Sequence, residues 1–193
     1  MNFEAHARAF AALTGLCGLM VFSANSAWCQ VLQWQTIAGI QVLGDVVGVG
    51  TPGVGSGAIT GGAPWNTLGG FAKVNLNNGR VKFDVNGLIL AVGSASQVGL
   101  SGLPIGTPAG VTAVKGTLVC NVTGDQGSSS LSVDTPVTTL DAQGNADFKG
   151  GFTSSIPSEC SINSASDDAF LIRIGSGPFA GAWIAFGAVL SVQ

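Results

Sequence analysis

The chain contains no tyrosine and only one histidine, His6, among its 193 residues. Charged side chains make up 9% of it, against roughly 25% in an average soluble domain. So little charge excludes a coiled coil, a basic nucleic-acid binder and a charged disordered tail. The formal net charge of -3 is too small to dictate a partner. What the chain has instead is 30 glycines and 46% apolar residues, enough for one domain with a core and many turns.

The beginning of the chain reads as a leader. Arg8 precedes an uncharged apolar run from Ala9 to Phe22, and the small residues Ser23-Ala24-Asn25-Ser26-Ala27 follow. That order predicts a signal peptide over 1–27, with cleavage after Ala27 or as late as Cys29. An uncleaved anchor is the alternative, because Ala24 to Ala27 stretch the weakly polar segment to about eighteen residues. Cleavage leaves a domain over 28–193, secreted, periplasmic or at the cell surface, with no stable membrane insertion. It also removes His6. A chain without histidine builds no Ser-His-Asp or Cys-His centre, no histidine zinc site and no blue-copper site. Ser-Lys and two-carboxylate chemistry stay open.

Cys120 and Cys160 both survive processing, and an even pair in an exported protein predicts a disulfide. The closed loop of about forty residues is worth up to roughly 4 kcal/mol on the chain-entropy view.

After the leader, apolar residues alternate with polar ones between clusters of Gly, Pro, Asn and Ser, which predicts strands. The clearest unit is a hairpin running from Ala72 to Val85 through Asn77-Asn78-Gly79-Arg80. With Asn78-Gly79 as a two-residue type I′ turn, Leu76 would face Val81, Val74 would face Phe83 and Lys73 would face Asp84. Further strands are expected in Gln33 to Val49, Gly87 to Val92, Val111 to Cys120, Leu131 to Val137, Ala146 to Phe152 and Phe170 to Ile174. Ala182 to Val192 is apolar on both faces and therefore predicted to sit centrally in a sheet. The fold class is all-β, a single β-sandwich of about seven to nine strands with one disulfide. An outer-membrane barrel is the competitor; the missing Tyr girdle, the C-terminal Gln193 and the short strands argue against it. Two uncharged glycine-rich stretches, 48–62 and 93–110, are expected as long surface loops.

Each chemical motif has a plainer reading beside it. Gly48-Val49-Gly50-Thr51-Pro52-Gly53 spells a nucleotide-binding turn, but no helix-forming residues follow to receive a pyrophosphate. Asp141, Asn145 and Asp147 are spaced as weak calcium ligands. A full loop would want glycine and glutamate where Ala146 and Phe152 stand, so a glycine-containing hairpin turn is preferred. Asp167-Asp168 is the adjacent carboxylate pair a hydrolase could use, yet neighbours at a strand entrance point to opposite sides, and a solvated loop is expected. Arg173 should face solvent or pair with a carboxylate. Asn121-Val122-Thr123 is a glycosylation sequon in a eukaryotic host. Trp65, after Gly61-Gly62-Ala63-Pro64, is the aromatic placed to stack on a sugar from a loop, with a lid over one end of the sandwich as the plainer reading.

Several stretches carry a resemblance in order and spacing. They are Gly62-Ala63-Pro64-Trp65, Val85-Asn86-Gly87-Leu88, Val114 to Cys120, the Asp141 to Asp147 turn, Cys160, and Gly181-Ala182-Trp183-Ile184-Ala185. Over most of the mature chain the sequence resembles a group of small secreted bacterial β-rich proteins of unknown function. The resemblance implies export, one disulfide and a β-rich domain, and it transfers no catalytic, cofactor or metal residue. The expectation is a non-enzymatic extracellular or cell-surface structural or interaction protein, without a cofactor, whose partner is a surface or extracellular polymer and not a nucleic acid. A carbohydrate-binding module centred on Trp65 and a carboxylate hydrolase using Asp167 or Asp168 are the alternatives.

Overall fold

The computed structural model describes residues 30–50, 57–91, 103–124, 129–160 and 162–193. The expected leader with its cleavage site, the second half of the glycine motif and much of the second glycine-rich stretch lie outside them. Among the described residues no helix is long and apolar enough to cross a membrane.

Alternation produces strands as expected. They are β1 (Val31–Gly39), β2 (Val46–Val47), β3 (Ile59–Thr60), β4 (Trp65–Asn66), β5 (Gly69–Asn75), β6 (Arg80–Asn86) and β7 (Ile89–Leu90). There follow β8 (Ala113–Cys120), β9 (Leu131–Asp134), β10 (Thr138–Thr139), β11 (Ala146–Gly151), β12 (Ala169–Ile174) and β13 (Trp183–Val192), with a 3-10 turn at Ile162–Asp167 before β12. Nine of them form one antiparallel sheet in the order β10-β8-β12-β13-β1-β5-β6-β11, with β9 sharing the outer edge of β8 with β10. β13 lies inside this sheet between β12 and β1, as its two-sided apolar pattern requires.

The sheet curls until its concave face packs on itself. Phe170 of β12 touches both Trp34 of β1 and Phe83 of β6, at ring-centroid separations of 5.6 and 5.8 Å, although β12 and β6 stand four places apart in the sheet. Phe83 in turn stacks on Phe148 of β11 at 5.5 Å. The architecture is thus sandwich-like, two halves of one sheet facing each other, without closing by a backbone ladder. At the seam between the two edges, Thr138 Oγ1 donates to the carbonyl of Asp147 at 2.9 Å, and Thr153 donates to the carbonyl of Asp134 through both its N–H (2.8 Å) and Oγ1 (3.0 Å).

Gly116 of β8 makes room for the aromatic cluster. A Cβ there would stand 2.5 Å from Phe170 Cζ and 2.9 Å from Phe83 Cε1. Both rings are fully buried, so neither can swing aside. Gly116→Val is therefore expected to destabilise the domain by about 2–3 kcal/mol through overpacking, a loss readable as a lower urea midpoint with an unchanged slope.

The β5–β6 hairpin forms, but in a different register. Asn75 lies opposite Arg80, Val74 opposite Val81, and Lys73 opposite Lys82. The turn spans Leu76 to Gly79, and among its residues Gly79 alone has a positive φ, +68°. A type I′ turn needs two such residues. Instead Asn75 Oδ1 accepts hydrogen bonds from the N–H groups of Asn77 (3.0 Å) and Asn78 (3.2 Å), and the Gly79 N–H donates to the Asn75 carbonyl at 2.9 Å. The asparagine side chain thus organises a longer loop, and the expected Lys73–Asp84 pair is replaced by a lysine facing a lysine.

Candidate functional site

The outward face of β5, β6 and β11 gathers most of the positive charge. Lys73 faces Lys82, and Lys82 faces Lys149 on its other side, so three lysines form one row across three strands. All three are exposed. The next row on one side is Asn75, Arg80 and Gly151; on the other side it is Phe71, Asp84 and Asp147. Between the lysine row and Arg80 lies an open hollow of about 660 Å³, edged by Lys73, Arg80, Lys82 and Lys149. Gly151 helps keep it open, because it shares the outward row with Arg80 and adds no side chain there, whereas a Cβ at Gly150 would point to the Phe148 ring. Lys82 Nζ lies 5.0 Å from the centre of the Phe71 ring, a cation–π contact that holds the middle ammonium over the sheet.

A second opposition of cations shows what the fold does when it neutralises such a pair. Lys115 of β8 faces Arg173 of β12. Asp134 sits beside both, accepting from Lys115 Nζ at 2.5 Å, Arg173 Nη1 at 3.2 Å and Thr117 Oγ1 at 2.6 Å. Arg173 Nε also donates to the Gly181 carbonyl at 2.7 Å. Burial would raise the Asp134 pKa, but the hydrogen bonds from Lys115 and Thr117 and the charges of Arg173 and Lys115 outweigh it and hold the carboxyl below its ordinary value. Arg173 is thus paired with a carboxylate. Among the described residues, the four cations around the hollow have no ion-pair partner.

The carboxylates singled out in the sequence are each engaged or enclosed. Asp167 ends the 3-10 turn and is half-buried, whereas Asp168, at the entrance of β12, is enclosed. Asp167 Oδ1 accepts from the Thr123 N–H at 2.6 Å. Asp168 is 6% exposed and, among the described residues, neither of its oxygens has a hydrogen-bond partner. It precedes β12 where the ladder pairs Ala169 with Val119, which brings it beside Cys120. The Asp168 carboxylate and the sulfurs of Cys120 and Cys160 lie within 4.8 Å of one another. The two cysteines are joined, with Cα atoms 5.0 Å apart. Burial, and secondarily the charge of Asp167, pushes the Asp168 pKa up from 3.8 to about 7. The solvated-loop expectation therefore fails for Asp168.

Asp141 and Asn145 build a turn. Asp141 Oδ1 accepts from the N–H groups of Gln143 (2.9 Å) and Asn145 (2.7 Å), and Oδ2 accepts from Asn145 Nδ2 at 3.1 Å. The Asn145 backbone bond leads these in holding the Asp141 carboxyl below its ordinary pKa. Asn145 Oδ1 is taken by the Gly87 N–H at 3.0 Å. Asp147 stands on β11 facing Asp84. Asp141 and Asn145 thus form a turn, but the expected hairpin does not: the turn joins β10 to β11, which stand at opposite ends of the sheet and pair with β8 and β6 instead.

Trp65 does not occupy a loop. It starts β4, pairs with Leu90, donates its backbone N–H to the Ile40 carbonyl at 2.7 Å, and is 3% exposed within the hydrophobic core. It is part of the core cluster, and a sugar ring finds no free indole face there. Asn121 is 0% exposed, with a φ of +56°, so its amide is not presented for glycosylation in the folded chain. Sequence pattern held no sign of the lysine row, because only the register brings residues 73, 82 and 149 together.

No protein-family model, curated protein or solved structure matches the chain.

Proposed function

We propose that the chain is an exported, non-enzymatic interaction protein acting outside the cell or at its surface. The observation that carries this reading is the basic hollow: in a chain of net charge -3, four cations meet on an open face without counter-ions among the described residues. Leaving like charges directly opposite one another costs stability, so the row is best understood as a surface kept ready for something else. The disulfide supports an oxidising compartment. The carboxylates speak against hydrolysis, since Asp134 and Asp141 are held by hydrogen bonds and Asp168 faces sulfur in the interior. A pair working on a glycoside would instead need two carboxyls facing each other across an open cleft.

The test is retention of the oxidised chain on isolated cell envelopes. Co-sedimentation at low salt, reversed by salt, is the expected result. A chain that stays wholly in the supernatant at low salt overturns the reading.

A further inference from the structure

The geometry points to a linear anionic polysaccharide as the occupant of the Lys73-Lys82-Lys149 row, a proposal that rests on the interaction reading above. The three lysines occur on adjacent strands at matched positions. Strands lie about 4.8 Å apart, so the row repeats a positive charge at that interval over about 10 Å. A sugar ring advances a glycan chain by a similar step. A polymer with a carboxylate or sulfate on successive residues would therefore meet one ammonium per ring, lying across the strands.

The surroundings limit the ligand's shape. On one side the next outward row holds half-buried Asp84 beside exposed Asp147, a doubly negative border that repels a second line of anions. On the other side Arg80 and the bare backbone of Gly151 leave a trough. A single narrow chain of charge fits between these borders, while a duplex, with two phosphate lines, would bring one of them against the aspartates. The Asp134 cluster strengthens the contrast, because the facing cations of β8 and β12 have a carboxylate between them and those of β5, β6 and β11 have none among the described residues.

The experiment measures binding of the oxidised chain to immobilised polygalacturonate and to dextran sulfate, with neutral dextran, free galacturonic acid and short duplex DNA as comparisons. Retention on the anionic polysaccharides is expected at 20 mM salt, with a log–log salt slope of about -3 for roughly three contacts by analogy with phosphate polymers. Free galacturonic acid should compete at least about 100-fold more weakly, because one sugar meets one lysine of the three. The triple variant Lys73→Gln, Lys82→Gln, Lys149→Gln should lose at least about 30-fold in affinity while melting no lower than the parent, since it removes the like-charge oppositions. The double variant Asp84→Asn, Asp147→Asn should bind more tightly. Unchanged binding by a folded triple variant overturns the proposal, as does equal or tighter retention on duplex DNA. Envelope retention without polysaccharide binding overturns this proposal alone; loss of both overturns the interaction reading as well.

Discussion

Asp168→Asn is expected to stabilise the oxidised domain at pH 8.5 by about 2–3 kcal/mol, at pH 5 by about a third of that, and to leave it nearly unchanged only near pH 3. The reasoning is linkage. A carboxyl whose folded pKa lies near 7 and whose unfolded value is 3.8 binds its proton more tightly when folded. Between those values the folded state holds more protons than the unfolded state, so stability falls as pH rises. It is greatest with the acid neutral, below pH 3.8, and the loss is complete above about pH 7. The full shift would correspond to roughly 4 kcal/mol at 1.36 kcal/mol per unit, discounted here for residual solvent screening of the carboxylate. Asparagine keeps the shape of the neutral acid and cannot ionise. Urea unfolding of parent and variant between pH 4 and 9 checks it. Parallel curves would mean that Asp168 carries no proton near neutrality and that the site beside the disulfide is wet.

Removing the disulfide should have the other large effect. The bond closes a loop between residues 40 apart in sequence, so Cys120→Ala with Cys160→Ala should cost up to about 4 kcal/mol, mostly by freeing the unfolded chain. Both cysteines lie in the core, with 0% and 7% exposure, and alanine leaves no unpaired thiol. The change should appear as a lower urea midpoint, and the same loss should follow reduction of the parent by excess dithiol. A loss under 1 kcal/mol would show that the loop from 121 to 159 is already held by its own packing. The two predictions can interact: the variants share one cluster, and neighbouring changes do not simply add.

Strand identity was readable from alternation, because a half-buried sheet demands a two-residue period and these segments supply it. Register was not. Sliding β6 by two residues against β5 keeps Val74, Val81, Phe83 and Val85 on the same face, since the side-chain period is two. Apolar patterning therefore could not separate the expected pairing from the observed one, and the decision fell to the turn. Asn-Gly suggested two loop residues with positive φ, whereas the Asn75 side chain, just outside that dipeptide, ties down two N–H groups and lengthens the loop. That difference turns a lysine facing an aspartate into a lysine facing a lysine.

Asp168 was hidden for a different reason. Strand geometry sends one of two adjacent residues inward, but charge alone does not say which, and only Asp168 adjoins β12 while Asp167 ends the 3-10 turn. The useful signal was the disulfide: Cys120 is inward-facing at the end of β8, and Asp168 is what the adjoining strand places next to it. Trp65 misled through its neighbours, since glycines and a proline suggest a loop. Gly39 explains the outcome, because a Cβ there would run into the Trp65 carbonyl, so a bare backbone position lets the tryptophan segment close over β1.

The threonine bridges at the seam have a consequence for how copies of this chain meet. An open antiparallel sheet usually ends in rows of unsatisfied amides that recruit a neighbour's strand and seed fibres. Here the two borders turn toward each other, with Thr138 and Thr153 occupying the carbonyls of Asp147 and Asp134. Crowded copies are thereby denied two acceptors for strand-by-strand growth, and association is steered to the broad faces of the molecule.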